Sequence, residues 1–178
     1  KKRAFDKAIP LMQAGRDKAK NDFGELDSIF AEYTDNLSAF YQYTGQYGKA
    51  LPLSIQSKNI KEKVLGKDHP SFSAALNNLA TLHYSMGNYE EALPLFIQSK
   101  NIKEKTLGKD HPDFATALIN LATLHEKMGN YELALPLSIQ SKNIREKVLG
   151  KDHVSFATAL SGLAILHQQM GNYKLALP

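Results

Sequence analysis

The residues best suited to chemistry recur in a fixed order. LGKDHP spans Leu65–Pro70, returns unchanged at Leu107–Pro112, and reappears as LGKDHV at Leu149–Val154. Asp beside His after Gly-Lys could open a hydrolytic or metal site, because imidazole and carboxylate together serve proton transfer or metal ligation. Such a site needs Lys67, Asp68 or His69 to converge with partners. Each copy instead stands 42 residues from the next, and a motif is informative only in a fitting structural context. Every residue also has an ordinary structural task. Gly can take the left-handed conformation that closes a helix, and Pro suits the first turn of the next one. Asp68 or His69 can cap the free amides there, a contribution of about 1 kcal/mol. LGKDHP reads as a joint.

Other candidate groups read the same way. His83, His125 and His167 recur at one helical position with no acidic or cysteine companion at ligand spacing, which marks a packing position rather than a metal site. Lysines recur as Lys58, Lys61 and Lys63, then Lys100, Lys103 and Lys105, then Lys142, Arg145 and Lys147. Glu62, Glu104 and Glu146 are interleaved with them, so the expectation is a solvated face with i,i+4 pairs such as Lys58 with Glu62. A single-strand nucleic-acid surface would add stacking aromatics, and the net charge of +4 is mild for nucleic-acid binding. With no cysteine, disulfides, thiolate zinc sites and cysteine nucleophiles are excluded, and a reducing cytoplasm is the expected location. No apolar run approaches the ~20 residues that span a bilayer, and KKRAFDKAIPLMQAG lacks the apolar segment of a secretory signal. The expectation is therefore no catalytic residue, no metal, no cofactor, no nucleic acid and no membrane.

The elements that carry these groups repeat. GQYGKALPL, GNYEEALPL, GNYELALPL and GNYKLALP begin at Gly45, Gly87, Gly129 and Gly171, a constant interval of 42. A fixed period of this size marks a repeat architecture. The frame extends back in weaker form, with Phe5, Ala8, Pro10 and Gly24 matching Tyr47, Ala50, Pro52 and Gly66. Each unit predicts two helices. The first, from about Pro70 to Met86, has Phe72, Ala75, Leu76, Leu79, Ala80 and Leu82 at helical spacing. Gly87 ends it and Asn88 is placed to cap the second, from about Tyr89 to Leu107. Pro52, Pro94, Pro136 and Pro178 fall inside second helices, where a slight bend is expected. No segment alternates like a strand, so the class is all-α.

Leu76, Leu79, Ala80, a ring at His83, Gly87, Tyr89, Ala92 and Phe96 resemble the tetratricopeptide repeat (TPR), with His83 where Tyr is usual and Ala80 where Gly is usual. The ordinary period is about 34, and the surplus, about two helical turns, lies in NIKEKTLGKDHP. This long form resembles the repeats of kinesin light chain and its bacterial relatives, strongly from Gly45 onward. The resemblance implies a right-handed α-solenoid, a superhelix of antiparallel helix pairs whose first helices line a concave peptide-binding groove. It divides the chain into a second helix of a degenerate repeat (1–24), a degenerate repeat (25–66), two full repeats (67–108 and 109–150) and a truncated one (151–178). The array opens on a second helix and stops inside another, so a fragment of a longer protein is expected, since a repeat needs neighbours to bury its apolar face.

Where the repeats differ is informative. Between Gly66–Leu107 and Gly108–Leu149 ten positions change, six of them in the first helix. With the next repeat included, the changes at 74, 77, 81, 84 and 85 and their equivalents lie on one face of a helix opposite the shared Leu76, Leu79 and Leu82. The expected groove residues are Asn77, Thr81, Tyr84 and Ser85, then Ile119, Thr123, Glu126 and Lys127, then Ser161, Ile165, Gln168 and Gln169. Asn36, Asn78 and Asn120 recur there and Gly162 breaks the series. A side-chain amide offers donor and acceptor together, which suits the backbone of an extended peptide. The expected role is a non-catalytic module binding an extended protein or peptide segment, from a partner or from its own chain. Two alternatives stand beside it: a sensor arm of a larger enzyme such as a caspase-like CHAT peptidase or an NTPase, and a scaffold assembling by end-to-end stacking.

Overall fold

Gly and Pro set the helix limits. The structure, a computed structural model, describes residues 2–176, with side chains from residue 8 to residue 174. In chain order the helices are α1 (Lys2–Phe23), α2 (Ser28–Tyr43), α3 (Tyr47–Leu65), α4 (Pro70–Ser85), α5 (Tyr89–Leu107), α6 (Pro112–Lys127), α7 (Tyr131–Leu149), α8 (Val154–Gln169) and α9 (Tyr173–Ala176). No strand occurs among the described residues. The first helices of the pairs are α2, α4, α6 and α8. Second helices α3, α5 and α7 run uninterrupted through Pro52, Pro94 and Pro136, each in the second turn. Pro178 and the side chain of Phe5 lie outside the described residues.

Each residue of the LGKDHP joint has a task. Gly66 has φ near +87°, a conformation that suits a residue without Cβ. Its amide still donates to the Glu62 carbonyl at 3.1 Å, which closes α3. The three joint lysines fold back on glutamates of the preceding helix: Lys67 to Glu62, Lys109 to Glu104 and Lys151 to Glu146, at 3.3–3.5 Å. Asp110 reaches Lys147 Nζ at 2.6 Å. The cap itself is histidine in all three copies. Nδ1 of His69, His111 and His153 accepts from the amides of Ser71, Asp113 and Ser155 at 3.0–3.1 Å. An acceptor at Nδ1 places the ring proton on Nε2. Pro70 and Pro112 follow in the first turn.

The corner inside each pair works differently from expectation. Asn88 and Asn130 serve the preceding helix through their backbone. The Asn88 amide donates to the His83 carbonyl at 2.9 Å and the Gly87 amide to Tyr84 at 3.0 Å. Asn130 and Gly129 repeat this pattern on His125 and Glu126. Such paired bonds around a left-handed glycine form a Schellman closure. The Asn130 side chain makes no cap bond to α7, and its backbone, at φ −87° and ψ 60°, stands outside the extended region of an ordinary N-cap.

Packing divides the chain into two compact units, Lys1–Leu95 and Phe96–Pro178. In the first, α1 packs on α2, α2 on α3, α3 on α4, and α2 touches α4. Phe30 and Ala31 bury against Ala19 and Ile60, while Leu37, Tyr41, Ala50 and Leu82 form a second cluster. In the second unit α6 packs on α7, α7 on α8 and α8 on α9. Its clusters join Phe114, Ala115, Leu118 and Ile144, then Ala122, Ala134 and Leu166. Small residues on the second helices allow close approach. Buried Ser57 and Ser141 each donate to a first-helix carbonyl, Ala31 at 2.9 Å and Ala115 at 2.8 Å.

Candidate functional site

The candidate groove positions lie on exposed or half-buried surface of the first helices. Leu76, Leu79 and Leu82 of α4 are buried, whereas Asn78 and Ser85 are exposed and Asn77, Thr81 and Tyr84 half-buried. In the same unit Asn36 is exposed on α2, and Gln42 Nε2 donates to Ser85 Oγ at 3.1 Å, tying α2 to α4 across this face. Tyr84 tilts against Tyr89, with ring centroids 5.6 Å apart. On α6, Lys127 is exposed and Ile119, Asn120, Thr123 and Glu126 are half-buried. On α8, Ser161, Ile165, Gln168 and Gln169 are exposed. Asn77 and Asn120 already have partners within the chain.

Hydroxyls at these positions are partly spent on their own helices. Thr81 Oγ1 donates to the Asn77 carbonyl, Ser85 Oγ to Thr81, and Ser161 Oγ to Ala157, at 2.8–3.0 Å. A hydroxyl has one donor and two acceptor lone pairs, so these groups keep acceptor capacity. Donors come from the amides of Asn36, Asn78, Gln168 and Gln169 and from Lys127. Ile119 packs against the Ala122–Ala134–Leu166 cluster, and Ile165 stands 53% exposed. Within each unit the first helices offer hydrogen-bonding groups at these positions, and in the second unit Ile119 and Ile165 add small apolar areas.

The lysine series divides into two kinds. Lys58–Glu62, Lys100–Glu104 and Lys142–Glu146 form the i,i+4 pairs expected, at 2.9–3.3 Å. Lysine hydrogen bonds and charge hold Glu62 and Glu146 below the usual carboxylate range. Lys61 departs from the solvated-face reading. It is buried, and its Nζ meets Asp35 Oδ2 at 2.5 Å. It stands on α3, which packs against the α2 helix that carries Asp35. Its counterparts Lys103 and Arg145 are half-buried, and burial pushes both below their usual ranges, with Asp113 opposing the shift at Lys103. The position opposite is Asp35, then Asn77, Ile119 and Ser161 along the 42-residue frame.

His83, His125 and His167 are half-buried, and their Nδ1 atoms are buried with no hydrogen-bond partner. Burial pushes His125 below its ordinary range. Among the described residues no cluster of three or more His, Asp or Glu is placed to hold a metal.

The tetratricopeptide repeat family matches residues 30–105, 71–135 and 113–178. The chain belongs to the tetratricopeptide repeat family. Among solved structures, a kinesin light chain protein of Podosopora anserina with nearly identical TPR-like repeats is 27% identical, with a TM-score of 0.83 over 97% of this chain and 82% of that one. BtubC (BKLC) from P. vanneervenii, 19% identical, gives 0.79 over 98% and 68%. A Rap protein complexed with Competence and Sporulation Factor, 16% identical, gives 0.77 over 98% and 47%. These two show the fold alone. Nothing matches among curated proteins. The TPR fold is an all-α solenoid and, as a class, a protein–protein interaction module. No helix among the described residues is long and apolar enough to cross a membrane.

Two features of the structure, Gln42 and the inward turn of Lys61, are not among the residues that the repeat pattern singles out. Gln42 was within reach, because the frame places it level with Tyr84, Glu126 and Gln168. Lys61 gave no comparable signal, since its spacing from Lys58 and Lys63 is that of any charged helix face.

Proposed function

We propose that this TPR chain is a non-catalytic module that takes an extended peptide segment on the divergent face of its first helices. One observation carries the reading. Residues that pack helix on helix are held nearly constant from repeat to repeat, while the uncovered side chains of α4, α6 and α8 change at helical spacing. A surface kept open by a constant skeleton and varied in chemistry suits recognition. Asn36 and Asn78, exposed at equivalent positions, supply amides able to bond a backbone of any sequence. Support from relatives is general: the similar Rap protein is held in complex with a partner. A cytoplasmic setting agrees with this reading.

Asn36 and Asn78 give a cleaner test than Asn120, which has a partner inside the chain. Binding of the 178-residue chain to an array of random capped peptides should fall to background in Asn36→Ala/Asn78→Ala, with the melting temperature unchanged. Undiminished binding by that double variant would remove the groove from the explanation.

A further inference from the structure

Glu126 is set apart from the other half-buried or buried acids among the described residues. The half-buried carboxylates of the second helices are each met by two lysines: Glu62 by Lys58 and Lys67, Glu104 by Lys100 and Lys109, Glu146 by Lys142 and Lys151. Buried Asp35 has Lys61. Half-buried Asp27 caps α2 through the Ile29 amide at 2.7 Å. Glu126 is half-buried too, yet its carboxylate forms no hydrogen bond or ion pair with any described residue. Burial raises its carboxyl above the usual range, and the neighbouring Lys127, exposed and next along the helix, offsets this only in part. Taking an anion partly out of water without a partner is unfavourable. A cation delivered to it gains more than it would at a fully solvated carboxylate.

Position 126 is also where the repeats differ most in kind. Its equivalents are Gln42, Tyr84 and Gln168, so the negative charge belongs to one repeat alone. Toward the N-terminus of α6, the same face carries Thr123 and Ile119, the latter seated on an apolar cluster.

We propose that Glu126 is a specificity-determining residue, and that the segment taken by this face presents a lysine or arginine side chain to it, next to an apolar side chain that covers Ile119. The inference rests on the groove reading above and names the chemistry of its ligand. A neutral or acidic segment leaves the carboxylate unpaired, so discrimination comes from the penalty as well as from the attraction.

The test uses the 178-residue chain and a positional-scanning library of short capped peptides. Each pool fixes one position as Arg, Lys, Gln, Glu or norleucine. Wild type should retain Arg and Lys pools about tenfold better than Gln pools, the scale of a single charge-pair preference. Glu126→Gln should bring the ratio to unity while still binding apolar pools, and Glu126→Lys should invert it toward Glu pools. Lys127→Gln should keep the basic preference. Melting curves for each variant separate lost folding from lost recognition, and Glu126→Gln is isosteric. Equal retention of basic pools by wild type and Glu126→Gln overturns the assignment while leaving groove binding intact. Failure of every pool to bind wild type overturns the groove reading and this inference together.

Discussion

Histidine at the head of each first helix behaves as a cap whose chemistry can be checked directly. His111→Ala should lower stability by about 1 kcal/mol, the ordinary effect of losing a cap, and His111→Asn should restore it, as read by urea unfolding. The sequence left Asp68 and His69 as equal candidates because Asp is the commoner cap. In the structure His69 stands at the N-cap with an extended backbone, and its Nδ1 lies over the Ser71 amide. Glu126 offers a second check through pH. A carboxyl raised above its unfolded value is at no disadvantage while protonated, and loses stability as pH climbs from the ordinary carboxylate range through the raised folded value. Wild type should therefore fall behind Glu126→Gln over that window and match it below, in thermal melts taken across pH. Asp35 and Lys61 were the least legible residues. Pairing at 2.5 Å in a buried setting means that Lys61→Ala alone should cost several kcal/mol by stranding Asp35. Replacing both, as Asp35→Ile/Lys61→Met, should restore most of the loss in the same unfolding assay.

At the scale of the helix, legibility was high because punctuation and period agree. Gly, Pro and the spacing of Phe72, Leu76, Leu79 and Leu82 placed α4 and α5 to within a residue or so. What the pattern could not supply was which polar residue is turned inward, since Lys, Ser and Asn tolerate both settings. Ser138 is an example. It replaces the buried Phe96 of the preceding repeat, and its Oγ is buried with no partner. Gly162, inside α8, stands in open space at the position a Cβ would occupy. Gly162→Ala should therefore raise stability by about 0.5–1 kcal/mol through helix propensity alone, measurable as a later urea midpoint. Divergence marked candidate positions that are exposed or half-buried on their first helices. Its individual roles were not, because an exposed Asn78 and an engaged Asn120 look alike in sequence.

Across the whole molecule, stability is assembled from neighbours. In repeat proteins it sums contributions within units and between adjacent ones, so damage stays regional. Leu118, buried against Phe114, Ala115 and Ile144, is a suitable probe. Leu118→Ala should cost about 2–5 kcal/mol by leaving a cavity, with hydrogen exchange quickening in α6 and α7 before α2 and α3. The joints add a different property. Their cap, their closing amide and their Lys–Glu fold-back are complete within a few residues of Gly66, Gly108 or Gly150. Cutting the chain after Leu107 and resealing it at Gly150 would rebuild the joint sequence LGKDH without a scar. The gene can thus lose or gain whole periods by unequal exchange at these seams, and each exchange deals out a different order of recognition side chains on an undisturbed frame.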